Sequence, residues 1–158
     1  LALARMVGHI TYMSDDSMRE KFGRRRRHDI TQSGSGKDMF EVESYLRYRG
    51  GQFVGRFDAN AYITITKAMD VFDLAGSADS LAEALAPCPA RFLVLSFTSD
   101  WLYPSYQSEE IVRALRQRNC DVAYVEFPSN YGHDAFLIES GEQTDIVRGF
   151  LENTFRKL

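Results

Sequence analysis

Phe92-Leu93-Val94-Leu95-Ser96-Phe97-Thr98-Ser99-Asp100-Trp101 decides the fold class of this chain. From Phe92 to Phe97 it is a near-continuous apolar run of strand length, the pattern of a parallel strand buried on both faces. A second such run, Val122-Ala123-Tyr124-Val125-Glu126-Phe127, follows a helical segment over 104–118 with Ile111, Val112 and Leu115 turned inward. A last amphipathic segment carries Ile146, Val147, Phe150, Leu151 and Phe155. Strand, helix, strand, helix is the order of a right-handed α/β unit. Both strands run into polar loops that lead to helices. The first loop is Ser99-Asp100-Trp101, and the second is Ser129-Asn130-Tyr131-Gly132-His133-Asp134-Ala135-Phe136-Leu137.

Upstream of Pro87-Cys88-Pro89 the texture changes. Residues 1–86 read as helical throughout, with no period-2 strand. Leu3, Met6, Val7 and Ile10 recur at helical spacing. Ser14 caps a second helix that carries Asp15 and Asp16 in its positive first turn and ends near Gly23. Residues 24–37 read as a loop. Phe40, Val42, Tyr45 and Leu46 mark a third helix, expected to stop at Gly50-Gly51. Asp58 caps a fourth, with Tyr62, Ile65, Thr66, Met69 and Phe72 along it. Ser80-Leu81-Ala82-Glu83 is a capping box on a short helix that ends at Pro87. The division expected is a helical insertion over 1–86 and an α/β core over 87–158.

The 158 residues are 44% hydrophobic and 13% aromatic, which places the chain among globular domains with a real core. A net charge of −3 argues against a general nucleic-acid binder. No apolar run approaches the roughly 20 residues that span a bilayer. Cys88 and Cys120 make neither a disulfide framework nor a metal-ligand pattern, so a reduced, cytoplasmic setting without a bound metal is expected. Leu1-Ala2-Leu3-Ala4 is too short for a signal sequence and is interrupted by Arg5. The absence of an initial Met points to a truncated amino terminus.

Open α/β sheets bind ligands beyond the carboxyl ends of their strands. Adjacent parallel strands would bring Asp100 and His133 to one such place, where the carboxylate can accept a hydrogen bond from one imidazole nitrogen. That bond fixes the tautomer and leaves the other nitrogen to deprotonate a hydroxyl. It is two-thirds of a nucleophile–His–Asp triad, in the chain order of α/β-hydrolases. The same residues are also common as a turn cap and a loop histidine. No Gly-x-Ser-x-Gly elbow occurs in the chain, so the nucleophile is expected upstream of Leu1. Ser99, Ser129 and Ser140 lack the elbow context and are poor substitutes.

The neighbourhood of these residues resembles one family. Phe97-Thr98-Ser99-Asp100-Trp101-Leu102-Tyr103-Pro104 with Gln107-Ser108 is similar to the Asp segment of the homoserine O-acyltransferases, and Gly132-His133-Asp134-Ala135-Phe136-Leu137 to their His segment. The resemblance extends through Ala4-Arg5-Met6, Thr11-Tyr12-Met13-Ser14, Phe22-Gly23-Arg24 and Val42-Glu43-Ser44-Tyr45-Leu46-Arg47-Tyr48. It continues in Phe57-Asp58-Ala59-Asn60 and Thr66-Lys67-Ala68, in register along almost the whole chain.

That resemblance implies the C-terminal part of an α/β-hydrolase fold preceded by a helical lid. It implies acyl transfer from acyl-CoA, most commonly acetyl-CoA, to the hydroxyl of L-homoserine by a ping-pong route in methionine synthesis. It assigns Asp100 as triad acid, His133 as general base and Asp134 as the holder of the substrate ammonium. Arg5 and Tyr12 match acceptor-binding positions, Arg5 gripping the carboxylate; the acyl-CoA is a co-substrate and no cofactor is implied. A homodimer through the lid is expected. Their spacing puts Arg5 and Tyr12 on one helical face, and a guanidinium forks well onto a carboxylate, but an ordinary ion pair and a core aromatic would look the same.

Succinyl-CoA as donor, L-serine as acceptor, or a non-catalytic dimerisation module remain open. Met13, where many relatives have Arg, leaves the acyl group open too. Arg24-Arg25-Arg26-Arg27 reads as a solvated loop before a CoA-phosphate site. Ser33-Gly34-Ser35-Gly36-Lys37 fails as a phosphate loop, because Asp38 follows the lysine and no strand precedes it. His9 and His28 read as structural or exposed, and Tyr45, Tyr48, Tyr62 and Phe72 as packing aromatics or the wall of an acyl tunnel. A half-sheet exposes a strand edge, so the isolated fragment is expected to be aggregation-prone.

Overall fold

Helix starts follow the capping signals closely. In the computed structural model, which describes residues 1–27, 39–86 and 88–156, Ser14 Oγ accepts from the Ser17 N–H at 3.0 Å and opens α2, Asp15–Lys21. Asp58 accepts from the Ala61 N–H at 2.8 Å and opens α4, Ala59–Asp70. Ser80 accepts from the Glu83 N–H at 3.2 Å and opens α5, Leu81–Leu85. The returning half of that box, from the Glu83 carboxylate, reaches the Asp79 N–H at 3.1 Å, one residue earlier than the motif places it. His28, Pro87 and the Ser33-Gly34-Ser35-Gly36-Lys37 stretch lie outside the described residues.

The chain divides into two units, Leu1–Val71 and Phe72–Leu158. The first contains α1 (Ala2–Thr11), α2, a two-residue antiparallel pair β1 (Arg26–Arg27) and β2 (Met39–Phe40), α3 (Glu41–Val54) and α4. The β1–β2 pair corrects the expectation of no strand before residue 87. Two residues are too few for side-chain alternation to register, and backbone and charge hold the junction instead: the Glu41 N–H donates to Arg25 O at 3.0 Å, and Arg25 Nε to the Glu41 carboxylate at 2.8 Å. Met13 and Phe22 are buried, and Phe22 lies 5.0 Å from the Tyr45 ring. Ile65 and Met69 on α4 remain exposed among the described residues.

Helix α3 does not stop at Gly50-Gly51 but runs through to Val54. Gly50 is there because α1 crosses over it: a Cβ would stand 2.9 Å from Met6 Cε and 3.0 Å from the Ala2 carbonyl oxygen. Gly51 meets nothing within 4 Å. The neighbours therefore respond oppositely to substitution. Gly51→Ala gains about 0.5–1 kcal/mol of helix propensity, whereas Gly50→Val loses about 1–3 kcal/mol to overpacking against a backbone that cannot retreat. Urea unfolding of both variants reads the two signs.

The second unit holds α5, β3 (Phe92–Phe97), α6 (Ser105–Gln117), β4 (Val122–Phe127), a 3-10 turn (Gly132–Asp134), α7 (Ala135–Ile138) and α8 (Ser140–Phe155). Strands β3 and β4 are parallel, Phe92 opposite Val122 through Phe97 opposite Phe127. The amphipathic α6 buries Val112, Ala114 and Leu115, the last completely. It ends where Asn119 turns left-handed at φ 56° and the Cys120 N–H reaches back to Leu115 O at 3.1 Å.

Burial is concentrated at the carboxyl ends of the strands. Phe97 and Phe127 stack at 5.4 Å with Ala135 beside them, and Leu95, Val125, Tyr131 and Ile146 pack around. Phe92 to Leu95 are only half-buried, against the expectation of two covered faces. The amphipathic stripe of α8 is likewise half used: Ile146 joins the core while Leu151 and Phe155 stay 59% and 79% exposed. A two-stranded sheet has no inner strand, so only the end that meets α7 and the turn is enclosed. Among the described residues no helix is long and apolar enough to cross a membrane.

Candidate active site

Asp100 sits just past β3 with its backbone N–H returned to Phe97 O at 3.0 Å. It is 8% exposed, and its carboxylate meets two backbone N–H donors and one imidazole nitrogen. Oδ1 accepts from the Leu102 N–H at 3.0 Å and the Tyr103 N–H at 2.9 Å, an arrangement an Asp makes readily on a tight turn. Oδ2 lies 2.8 Å from His133 Nδ1.

His133 stands in the middle of the 3-10 turn beyond β4, its side chain 26% exposed. Tyr103 and Phe136 bracket the ring at centroid distances of 5.1 and 5.6 Å. Nδ1 is the ring nitrogen that faces the buried carboxylate. Parallel pairing in register is what brings residues 33 apart in sequence to this contact. The Asp–His pair expected from the two loops is present.

Sequence reasoning did not find the hydroxyls that tie these loops together. Thr98 Oγ1 accepts from the Ser129 N–H at 3.0 Å and donates to Ser129 O at 3.2 Å. Ser99 Oγ accepts from the Gly132 N–H at 2.9 Å, and Ser129 Oγ from the Tyr131 N–H at 3.1 Å. The one available signal was the run of hydroxyl residues directly after each strand.

A homoserine O-acetyltransferase of Methanohalobium evestigatum is 57% identical over 155 residues, covering 98% of this chain and 32% of that protein. A homoserine O-succinyltransferase of Bordetella pertussis is 49% identical over 162 residues, 100% of this chain and 39% of that protein. Over almost its whole length the chain is similar to one part of these homoserine O-acyltransferases.

It spans about a third of the length of the curated relatives it matches. The X-ray structure of a homoserine O-acetyltransferase from Bacillus anthracis superposes with a TM-score of 0.73 over 88% of this chain and 37% of its own, at 22% identity. At that identity the likeness concerns the fold, part of an α/β-hydrolase with its parallel strands. No protein-family model matches the chain.

The residues that the resemblance assigns to acceptor binding fall in both units. Asp134 follows His133 in the turn, half-buried, and its carboxylate makes no hydrogen bond or ion pair among the described residues. In the first unit, the Arg5 guanidinium lies over the Tyr12 ring at 5.9 Å and the Phe53 ring at 5.2 Å. It makes no ion pair among the described residues. Tyr12 is half-buried and edge-on to His9, whose Nδ1 is 3.0 Å from the Tyr45 hydroxyl. His9 and Tyr45 are therefore packing partners.

The arginine run is largely absorbed locally. Arg25 bonds Glu41 and the carbonyl of Lys21, Arg27 donates to Ser44 Oγ at 2.6 Å, and Arg26 lies over Phe40. Cys88 and Cys120 are free thiols.

Proposed function

We propose that these residues supply the general base, its orienting acid and the acceptor grip of a homoserine O-acyltransferase. The observation that carries the reading is the 2.8 Å contact between His133 Nδ1 and the buried Asp100 at the ends of adjacent parallel strands. Relatives named for homoserine acyl transfer support the substrate class. The nucleophile is a serine contributed by residues outside the 158, and these residues alone are inactive. His133 Nε2 removes the serine proton as Oγ attacks the thioester carbonyl, and CoA leaves as its thiol. In the second half-reaction Nε2 takes the proton of the homoserine hydroxyl, whose oxygen attacks the acyl-serine and frees the enzyme. Arg5 forks onto the homoserine carboxylate, Tyr12 flanks it, and Asp134 meets the ammonium.

Acetyl-CoA is the donor in the first reading; the Bordetella relative, named a succinyltransferase, is the ground for the second. CoA release by the full-length enzyme settles the donor. We expect homoserine with acetyl-CoA to exceed succinyl-CoA, and homoserine to exceed L-serine, by at least about 100-fold in kcat/KM, the discrimination a site gains from groups left unpaired by the wrong substrate. Equal rates with both donors would overturn the acetyl reading alone. The same proposal includes a cytoplasmic homodimer built on the first unit, where Ile63, Ile65 and Met69 offer exposed apolar surface.

A further inference from the structure

The contact between Asp100 and His133 is only as well aimed as the two loops that carry it. Those loops leave different strands, and the ladder ends at Phe97 and Phe127. Beyond that point the Thr98 N–H still reaches Phe127 O at 3.0 Å, and from there side chains take over from backbone pairing. Thr98 Oγ1 holds both the N–H and the C=O of Ser129, and Ser99 Oγ holds the N–H of Gly132. Each clasp residue is adjacent, or one removed, to the acid on its own loop, and Gly132 directly precedes the base. Gly132 is buried and lies at φ 72°, a conformation a side chain resists, so this N–H has a fixed direction that the Ser99 hydroxyl satisfies.

We propose that Ser99, supported by Thr98, is a positioning residue for the acid–base pair: its hydroxyl sets the placement of the His133 turn relative to Asp100 and touches no substrate. This inference rests on the general-base reading of His133. Loss of the hydroxyl leaves a buried N–H unpaired and lets the turn drift, and misplacement of a catalytic group by about 1 Å costs up to about 100-fold in rate.

The test uses the full-length enzyme with Ser99→Ala, Ser99→Thr, Thr98→Val and, as a control, His133→Ala. Expected for Ser99→Ala is a kcat lower by about 10- to 100-fold with the KM for both substrates within about twofold. The downfield NMR resonance of the imidazole Nδ1 proton should shift or broaden. Thr98→Val should lie in the same direction and be weaker, and Ser99→Thr, which keeps the hydroxyl, should restore kcat. Normal kcat in Ser99→Ala beside an inactive His133→Ala overturns the clasp and leaves the base in place. A KM rise without a kcat loss, or failure of Ser99→Thr to rescue, also overturns it. Full activity in His133→Ala overturns the general-base reading and, with it, the clasp.

Discussion

Replacing His133 by Ala in the full-length enzyme is expected to lower kcat by about 10⁴-fold or more, with Asp100→Asn about 10⁴-fold below wild type. Without the imidazole nothing in this turn can carry a proton in either half-reaction, because Asp134 is committed in this reading to the ammonium. Asp100→Asn acts differently. The turn geometry can survive, since one amide oxygen still accepts from the Leu102 and Tyr103 N–H groups that hold Oδ1 at 3.0 and 2.9 Å. What changes is the face toward His133 Nδ1, where an NH₂ group meets the ring and favours the wrong tautomer. The two variants should therefore unfold near the wild-type midpoint while losing turnover, and combining them should cost little more than His133→Ala alone. Near-normal rates in both would remove the triad assignment.

Arg5→Ala carries the second large effect, an expected rise in KM for homoserine of about 100- to 1,000-fold, the worth of a bidentate charge-assisted contact. Arg5 is half-buried and its guanidinium rests on Tyr12 and Phe53; in the proposed reading it forks onto the homoserine carboxylate. Arg5→Lys should recover only part of the loss, since an ammonium offers neither the fork nor the flat stacking surface. In the proposed ping-pong route the first half-reaction does not use the acceptor, so the burst of CoA release before homoserine is added should be unchanged. A slowed burst would mean that Arg5 supports the fold or the donor site instead.

Much of the architecture is legible from local chemistry. Ser14, Asp58 and Ser80 mark helix starts because a capping side chain bonds an N–H three residues on, within its own turn. The runs 92–97 and 122–127 read as parallel strands because the apolar pattern and the intervening helix admit little else. The misreadings all involve a partner distant in sequence. Gly50 looks like a stop until α1 is seen to lie 3 Å from where its Cβ would be, and the β1–β2 rungs join residues about 13 positions apart, flanked by the Arg25–Glu41 pair. Leu151 and Phe155 belong to an apolar stripe whose period is plain, yet their burial depends on what covers them.

For the site, two polar loops directly after two parallel-strand patterns were enough to single out Asp100 and His133 as a candidate pair, because a carboxylate can orient an imidazole. Asp134, Arg5 and Tyr12 entered only through the resemblance to the family. The tertiary structure alone decided that His133 presents Nδ1, not Nε2, to Asp100, and that Thr98, Ser99 and Ser129 bind the two loops together. Those facts depend on strand register and on hydrogen bonds spanning 31 to 33 positions, which no local pattern records.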